Sequence, residues 1–211
     1  MDPALTRVAL LSGGKDSLYA AMQLWPVDYG VVLVYDFPRP SPHLLNLGKT
    51  VETLILTGIP VIVAHLRRGH EQEETVKLLQ RLGADEIVAG DVYVEDHLRY
   101  MESVAAEAGA RLREPLWGMD PVELVHREAE AGIEALFTGA DGRMRRWLGR
   151  VFSQKTVEEL VECARRVGAD PLGEQGEYHT LVLSSPLHAT RLGYSVIETL
   201  EVHGYYLLRV V

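Results

Sequence analysis

Six residues near the start of the chain, Ser12-Gly13-Gly14-Lys15-Asp16-Ser17, bring two hydroxyls, two glycines, an ammonium and a carboxylate together. They follow the apolar run Val8-Ala9-Leu10-Leu11 and precede a helix-like stretch from Leu18 to Leu24. A strand, a glycine turn and a helix N-terminus in that order make an anion site. Glycines let the backbone curl until several N–H groups converge, and the helix dipole adds partial positive charge there. Lys15 supplies a full charge, and Ser12 and Ser17 supply hydroxyl donors, so the expected guest is a phosphate or pyrophosphate. Asp16 beside a polyphosphate is repulsive unless Mg²⁺ lies between them or the carboxylate fixes a neighbouring donor. A Walker A loop is excluded twice, because Asp16 follows Gly14-Lys15 and Ala9 stands at the earlier glycine position. A dinucleotide fingerprint is excluded because no third glycine follows Gly14.

The second concentration of chemistry is Gly173-Glu174-Gln175-Gly176-Glu177-Tyr178-His179-Thr180. The glycines permit an unusual backbone shape. Beyond them the segment enters a strand, where alternate side chains share a face, so Glu177 and His179 point one way and Tyr178 and Thr180 the other. From residue types alone, a catalytic surface and an exposed polar hairpin are equal alternatives.

Other single residues are weaker signals. His43, His65 and His70 lack metal-ligand spacing with a cysteine, and only His43, just past the second strand, merits notice. Asp36 and Asp91 stand at strand ends, as nucleotide contacts or as ordinary loop acids. Arg143, Arg145, Arg146 and Arg150 suit either a phosphate or acidic partner, or a charged helix surface.

The elements that must position these groups follow from apolar runs and their spacing. Strands are predicted at 8–11, 31–35, 61–65 and 86–89. Helices are predicted over 44–56 and 73–82, with Gly83 as the stop. Alternation of strand and helix means a parallel sheet with right-handed crossovers. Ligands bind at the carboxyl ends of such strands, which here carry Ser12-Gly13, Asp36, His65 and Gly90-Asp91. After residue 112 the pattern changes. Asp120 and Pro121 start a helix running to about residue 131, a strand covers 133–138, and a helix covers 155–167. The end reads as β over 180–183, 194–202 and 205–211, with a His203-Gly204 turn. The expected division is 1–112 and 113–211.

The 211 residues are 47% hydrophobic, enough for one large domain or two small ones. A formal net charge of −9 disfavours broad nucleic-acid binding. The single cysteine, Cys163, excludes a disulfide within the chain and fits a cytoplasmic setting. No apolar run has membrane-span length, so no membrane partner is expected. Self-association is left open.

SGGKDS resembles the pyrophosphate loop of the N-type ATP pyrophosphatases. With it, Glu114-Pro115-Leu116-Trp117-Gly118, Trp147-Leu148-Gly149-Arg150 and GEQGEYHT occur in order over nearly the whole chain. Together they resemble the diphthine–ammonia ligase family and its archaeal relatives. The resemblance implies an α/β fold: a Rossmann-like parallel sheet with flanking helices of the HUP type, which binds ATP, and a smaller α+β C-terminal domain that recognises substrate. It implies that ATP adenylates the carboxylate of diphthine on elongation factor 2, with pyrophosphate released, and that ammonia then displaces AMP.

Carried over by position, Ser12, Gly13, Gly14, Lys15, Asp16 and Ser17 bind the triphosphate; Asp36 and Gly90, from their places at strand ends, are expected ATP contacts, and the Asp16 carboxylate is the expected Mg²⁺ ligand. Glu174, Gly176, Glu177, His179 and Thr180 line the acceptor side. Lys15 and Asp16 are the expected catalytic residues on the ATP side, and Glu177 or His179 the base that assists ammonia. Trp117, Tyr178, Glu174 and Glu177 are candidates for an aromatic and acidic pocket around a trimethylammonium group. The chain leaves no room for a glutaminase domain, so free ammonia or a partner supplies nitrogen. One stretch departs from the family pattern: Val94-Glu95-Asp96-His97 replaces a Ser-Asp-Tyr-Gln-like run, and Tyr100 stands where an Arg is expected. Two rivals use the same loop. A tRNA-modifying enzyme is disfavoured by the lone cysteine and the acidic charge, and a nucleotide sensor without turnover is disfavoured by Lys15-Asp16.

Overall fold

The structure, a computed structural model, describes residues 5–35 and 41–211. Asp36 therefore lies outside the described residues. Contacts divide the chain into two units: residues 1–12, 16–37 and 59–118, and residues 13–15, 38–58 and 119–211.

The first unit is built on a parallel five-stranded sheet. Its strands are β1 (Arg7–Leu10), β2 (Tyr29–Val34), β3 (Val61–His65), β4 (Glu86–Val88) and β5 (Arg111–Arg113), in the order β3-β2-β1-β4-β5. Helix α1 (Lys15–Gln23) follows β1, α4 (Glu71–Leu82) follows β3, and α5 (Glu95–Ala108) follows β4. Val8, Val31 and Ile87 from the sheet pack with Val76 and Leu79 of α4 and Met101, Val104 and Ala105 of α5. Burying such side chains is worth roughly 1.5–3 kcal/mol each before conformational entropy is subtracted. The strand order reverses between β1 and β4. In open parallel sheets that reversal leaves a crevice at the carboxyl ends, because successive crossovers depart to opposite sides.

The second unit contains α2 (Pro42–Leu45), α3 (Leu47–Ile55), α6 (Pro121–Glu130), β6 (Glu134–Asp141), β7 (Val151–Phe152), α7 (Val157–Val167), β8 (Tyr178–Ser184), β9 (Val196–Val202) and β10 (Tyr205–Val210). Its sheet is antiparallel. Strand β6 pairs with β8 on one edge and with β7 and β10 on the other, and β9 extends the sheet beyond β10. Asp120 caps α6 as expected, its carboxylate accepting from the N–H groups of Val122 and Glu123 at 2.9 Å, with Pro121 in the first turn. The second unit holds the C-terminal residues 119–211. Residues 38–58 join it, and the second unit is the larger.

The helix expected over 44–56 is two helices broken at Asn46. That side chain is buried, and its Nδ2 donates to the carbonyls of Pro42 at 3.0 Å and Leu208 at 2.9 Å. Its Oδ1 accepts from the N–H of Val210 at 2.9 Å. The periodic apolar residues do not report this break, because the partners lie on β10, far along the chain. Asn46→Ala leaves buried backbone groups of β10 unsatisfied and is expected to cost about 2–3 kcal/mol, read as a lower urea midpoint.

A second buried polar junction ties α3 to β8. Thr53 Oγ1 donates to the Val182 carbonyl at 2.6 Å and meets His188 Nε2 at 2.9 Å. The hydroxyl has one proton, and Val182 takes it, so Nε2 is the donor to Thr53. His188 Nδ1 then accepts from Ser185 Oγ, 2.7 Å away. Burial holds the His188 imidazole below its ordinary value of 6.5, the neutral form being favoured in the folded state. The unfolded chain thus takes up a proton first as pH falls. This contribution is complete above about pH 6.5 and declines as pH falls toward the folded value. Stability measured against pH should lose that acid slope in His188→Gln.

Candidate functional site

The glycine corner falls at the topological switch point of the first sheet. Strand β1 ends at Leu10, Ser12 follows, and α1 begins at Lys15. Within the corner, Ser12 N–H donates to Ser17 Oγ at 3.2 Å, and the two serine hydroxyls lie 3.1 Å apart. The other wall comes from the end of β4. A Cβ added at Gly90 would lie 3.0 Å from Ser17 Cα and 3.2 Å from the Asp16 carbonyl oxygen. Gly90 therefore has no side chain because the first turn of α1 passes directly over it. Its place beside the loop follows from the strand order, which the sequence alone had not specified.

Residues Gly13–Lys15 cluster with the second unit, and β8 clamps them. Val182 N–H donates to the Gly13 carbonyl at 2.9 Å, and Lys15 N–H donates to Thr180 Oγ1 at 3.2 Å. An edge strand thereby has exposed backbone groups covered by the loop and by Thr53. Gly13 has φ +80, and a Cβ there would meet Thr50 Cγ2 at 2.9 Å, so both conformation and space demand glycine. Thr180 consequently holds the loop; it was expected on the acceptor side.

Lys15, expected to bind the triphosphate, points its side chain elsewhere. Its side chain is fully buried, with Nζ 3.0 Å from Glu128 Oε2, and Glu128 on α6 is fully buried too. The rings of Phe152 and Tyr178 each lie 5.8 Å from the ammonium. The ammonium is thus turned into the interior and held by a carboxylate and aromatic faces. A lysine poised on a departing phosphate would need to reach the corner, and this one is enclosed. Glu128 carried no sequence signal, since it sits on a helix whose apolar spacing describes an ordinary amphipathic element.

The GEQGEYHT segment is likewise redistributed. Glu177 is buried, its Oε1 accepting from the Asp170 N–H at 3.0 Å and its Oε2 from the Gln175 N–H at 3.1 Å. It closes the 170–177 loop around Gly176, whose φ is +87; with both carboxylate oxygens so engaged, a role as catalytic base is not supported. Tyr178 is buried, donates to the Pro171 carbonyl at 2.5 Å and packs on Phe137 with ring centroids 4.8 Å apart. Neither residue presents a face for a trimethylammonium group. Glu174 remains half-buried beside Asp170. His179 takes the opposite face of β8 from Tyr178, as strand alternation requires, and meets His43 of α2 at 5.2 Å between centroids.

Other expected residues are placed as follows. Asp91 Oδ1 lies 3.2 Å from His97 Nδ1, and the Asp91 N–H donates to Glu114 Oε2 at 3.2 Å. Trp117 is half-buried in the turn that ends the first unit, while Leu116 beside it is fully buried. Tyr100, on α5, lies close enough to Tyr35 to raise its phenol further, after burial as the main cause. The arginine group is occupied at home. Arg150 pairs with both oxygens of Glu159, joined by Arg146, and these contacts hold the Glu159 carboxyl at about 2. Arg143 bonds Asp141, and Arg145 stacks 4.2 Å from the Tyr206 ring. Among the described residues no group of three or more His, Cys, Asp or Glu has metal-holding geometry. No described helix is long and apolar enough to cross a membrane.

Both parts of the chain match known sequences. Residues 5–112 match the diphthamide synthase N-terminal domain, and residues 120–210 match the diphthamide synthase C-terminal domain. The chain belongs to the diphthamide synthase family. A relative from Danio rerio named diphthine–ammonia ligase is 24% identical over 224 residues, covering 91% of this chain and 87% of that protein. The protein of the same name from Homo sapiens is 23% identical over 229 residues, covering 92% and 83%. A third, from Schizosaccharomyces pombe, is 25% identical over 223 residues, and the match spans 92% of this chain but 37% of that longer protein. A predicted subunit of tRNA methyltransferase from Methanocaldococcus jannaschii superposes with a TM-score of 0.41 and 14% identity, covering 86% of this chain and 97% of that one. The family and the names of these relatives point to the ligase class of diphthamide synthesis, and the family implies use of ATP.

Proposed function

We propose that this protein forms an amide by way of an acyl adenylate: a carboxylate oxygen of diphthine on elongation factor 2 attacks the α-phosphorus of ATP, pyrophosphate leaves, and ammonia displaces AMP. The observation that carries the reading is the Ser12–Ser17 corner at the switch point of a parallel sheet, in a chain matching both diphthamide synthase domains. The names of the curated relatives supply diphthine and ammonia as substrates.

In this reading the corner stabilises charge developing on the leaving pyrophosphate, through its backbone, the Ser12 and Ser17 hydroxyls and the N-terminus of α1. Gly13 and Gly90 keep the backbone close to that group. Asp16, half-buried in the first turn of α1, would be the residue to hold a magnesium ion beside the nucleotide. When bound, the metal neutralises polyphosphate charge. Lys15 acts from within, fixing the loop through Glu128. The attacking carboxylate is ionised at neutral pH and needs no base. Trp117 is assigned to contact the trimethylammonium group, since Tyr178 and Glu177 are withdrawn into the interior.

The test is ATP–pyrophosphate exchange with diphthine-bearing elongation factor 2. Exchange that requires the factor, with AMP as the product when ammonium is added, supports the reading. Formation of ADP, or exchange indifferent to the factor, refutes it.

A further inference from the structure

A chain of buried hydrogen bonds in the second unit ends on the phosphate corner. Val182 of β8 is buried, and both of its backbone groups are held from outside the sheet. Its N–H donates to the Gly13 carbonyl at 2.9 Å, and its carbonyl accepts from Thr53 Oγ1 at 2.6 Å. Thr53 belongs to α3 and is fully buried, so water does not stand ready to replace this bond. His188 Nε2 lies 2.9 Å from Thr53 Oγ1 and, as the donor, fixes the rotation of the hydroxyl. Ser185 Oγ donates to the other ring nitrogen of His188 and itself accepts from the Leu187 N–H at 3.2 Å. Every link has a set direction: Leu187 donates to Ser185, Ser185 to His188, His188 to Thr53, and Thr53 to the Val182 carbonyl.

The far end of this chain reaches a peptide of the corner. A peptide unit is planar, so the direction of the Gly13 carbonyl also sets that of the Gly14 N–H, which points the opposite way. Glycine adopts positive and negative φ about equally well, so the φ of +80 at Gly13 must be chosen by its surroundings. Helix α3 supplies that choice twice. Thr50, three positions before Thr53 and so on the same face, fills the space beside Gly13, its Cγ2 only 2.9 Å from where a Cβ would lie. Thr53 acts through Val182. The bond from the Lys15 N–H to Thr180 Oγ1 fastens the chain further on, beyond the Gly13–Gly14 peptide.

Building on the ligase reading, we propose that Thr53 is a positioning residue of the pyrophosphate corner, oriented by His188 and acting on Gly13 through the backbone of Val182. In this role Thr53 need not touch the nucleotide. It holds the Gly13–Gly14 peptide in the orientation that the corner presents as charge grows on the departing pyrophosphate. Stabilisation of that kind depends on dipoles fixed before the reaction, so a loosened peptide costs rate more than nucleotide affinity.

The experiment measures ATP–pyrophosphate exchange with diphthine-bearing elongation factor 2 for wild type, Thr53→Val, Thr53→Ser and Thr57→Val, each with its urea midpoint. Thr57 is the control, because its buried hydroxyl donates to the Leu54 carbonyl at 2.6 Å and not to Val182. Thr53→Val keeps the side-chain shape and should lower kcat about tenfold, while KM for ATP stays within about twofold. Thr53→Ser keeps the hydroxyl and should recover most of that rate. Thr57→Val should lower the urea midpoint and leave kcat unchanged. A wild-type kcat in Thr53→Val overturns the proposal. So do equal losses in Thr53→Val and Thr57→Val, which would tie the rate to helix stability, or a raised KM for ATP with kcat kept, which would place Thr53 in nucleotide binding. Should Thr53→Val fail to fold, His188→Leu decides, since it removes the donor that orients Thr53. A fall in kcat of about threefold there supports the proposal, and an unchanged kcat overturns it. A wild-type protein without exchange refutes the ligase reading itself, and the positioning role with it.

Discussion

Lys15→Met unfolds at a much lower urea concentration than wild type, losing about 3–5 kcal/mol, because Glu128 is left as a buried charge with its cation removed. Glu128→Leu has a similar effect, because it removes the carboxylate 3.0 Å from the buried ammonium. The combination Lys15→Met with Glu128→Leu recovers much of the loss, since an apolar pair can replace a buried ion pair of similar volume at little cost. The double-mutant cycle separates two roles. A phosphate-binding lysine predicts intact folding, a raised KM for ATP in the single lysine variant, and no rescue by changing Glu128. A loop anchor predicts the reverse: loss of fold first, then partial return of both fold and activity in the double variant.

The second large effect is on activity with the fold retained. Gly90→Val places a branched side chain against Ser17 Cα and the Asp16 carbonyl, at a contact already only 3.0 Å for a Cβ alone. The first turn of α1 must shift, and with it the N–H groups, Ser17 and Asp16 that surround the leaving group. Misplacing a catalytic constellation by about 1 Å costs on the order of 10²-fold in rate. Factor-dependent pyrophosphate exchange should fall by about that factor in Gly90→Val, whereas Gly90→Ala should lose less. The relevant strain lies at the surface end of β4, so circular dichroism should remain that of the folded protein. Full exchange activity in Gly90→Val would remove the β4 end from the site.

Much of the architecture was readable from residue order. The apolar runs at 8–11, 31–35, 61–65 and 86–89 became β1 to β4 within one or two residues of their ends, because buried parallel strands are continuous apolar stretches. Helix α5 was not read, although Leu98, Met101, Val104, Ala105 and Ala108 have helical spacing; that signal was available in the sequence. Strand β5 was not, since Arg111-Leu112-Arg113 has a single apolar residue and forms only by pairing with β4 at the sheet edge. The break at Asn46 was hidden for a different reason. Its three partner groups include two on β10, and a side chain bonding that far along the chain leaves no local periodicity.

The candidate site divides along the same line. Residue types and spacing by themselves determined that a strand, a glycine turn and a helix start would meet at Ser12–Ser17, because backbone sterics and helix geometry act over neighbouring residues. They also determined which side chains of β8 would share a face. Tertiary structure alone decided the direction in which Lys15 points, the pinning of Glu177 by loop amides, the meeting of Gly90 with α1, and the meeting of His43 with His179. Each of those outcomes depends on which distant group fills the space beside a side chain, and burial then sets whether its charge or hydroxyl faces a ligand or the protein itself.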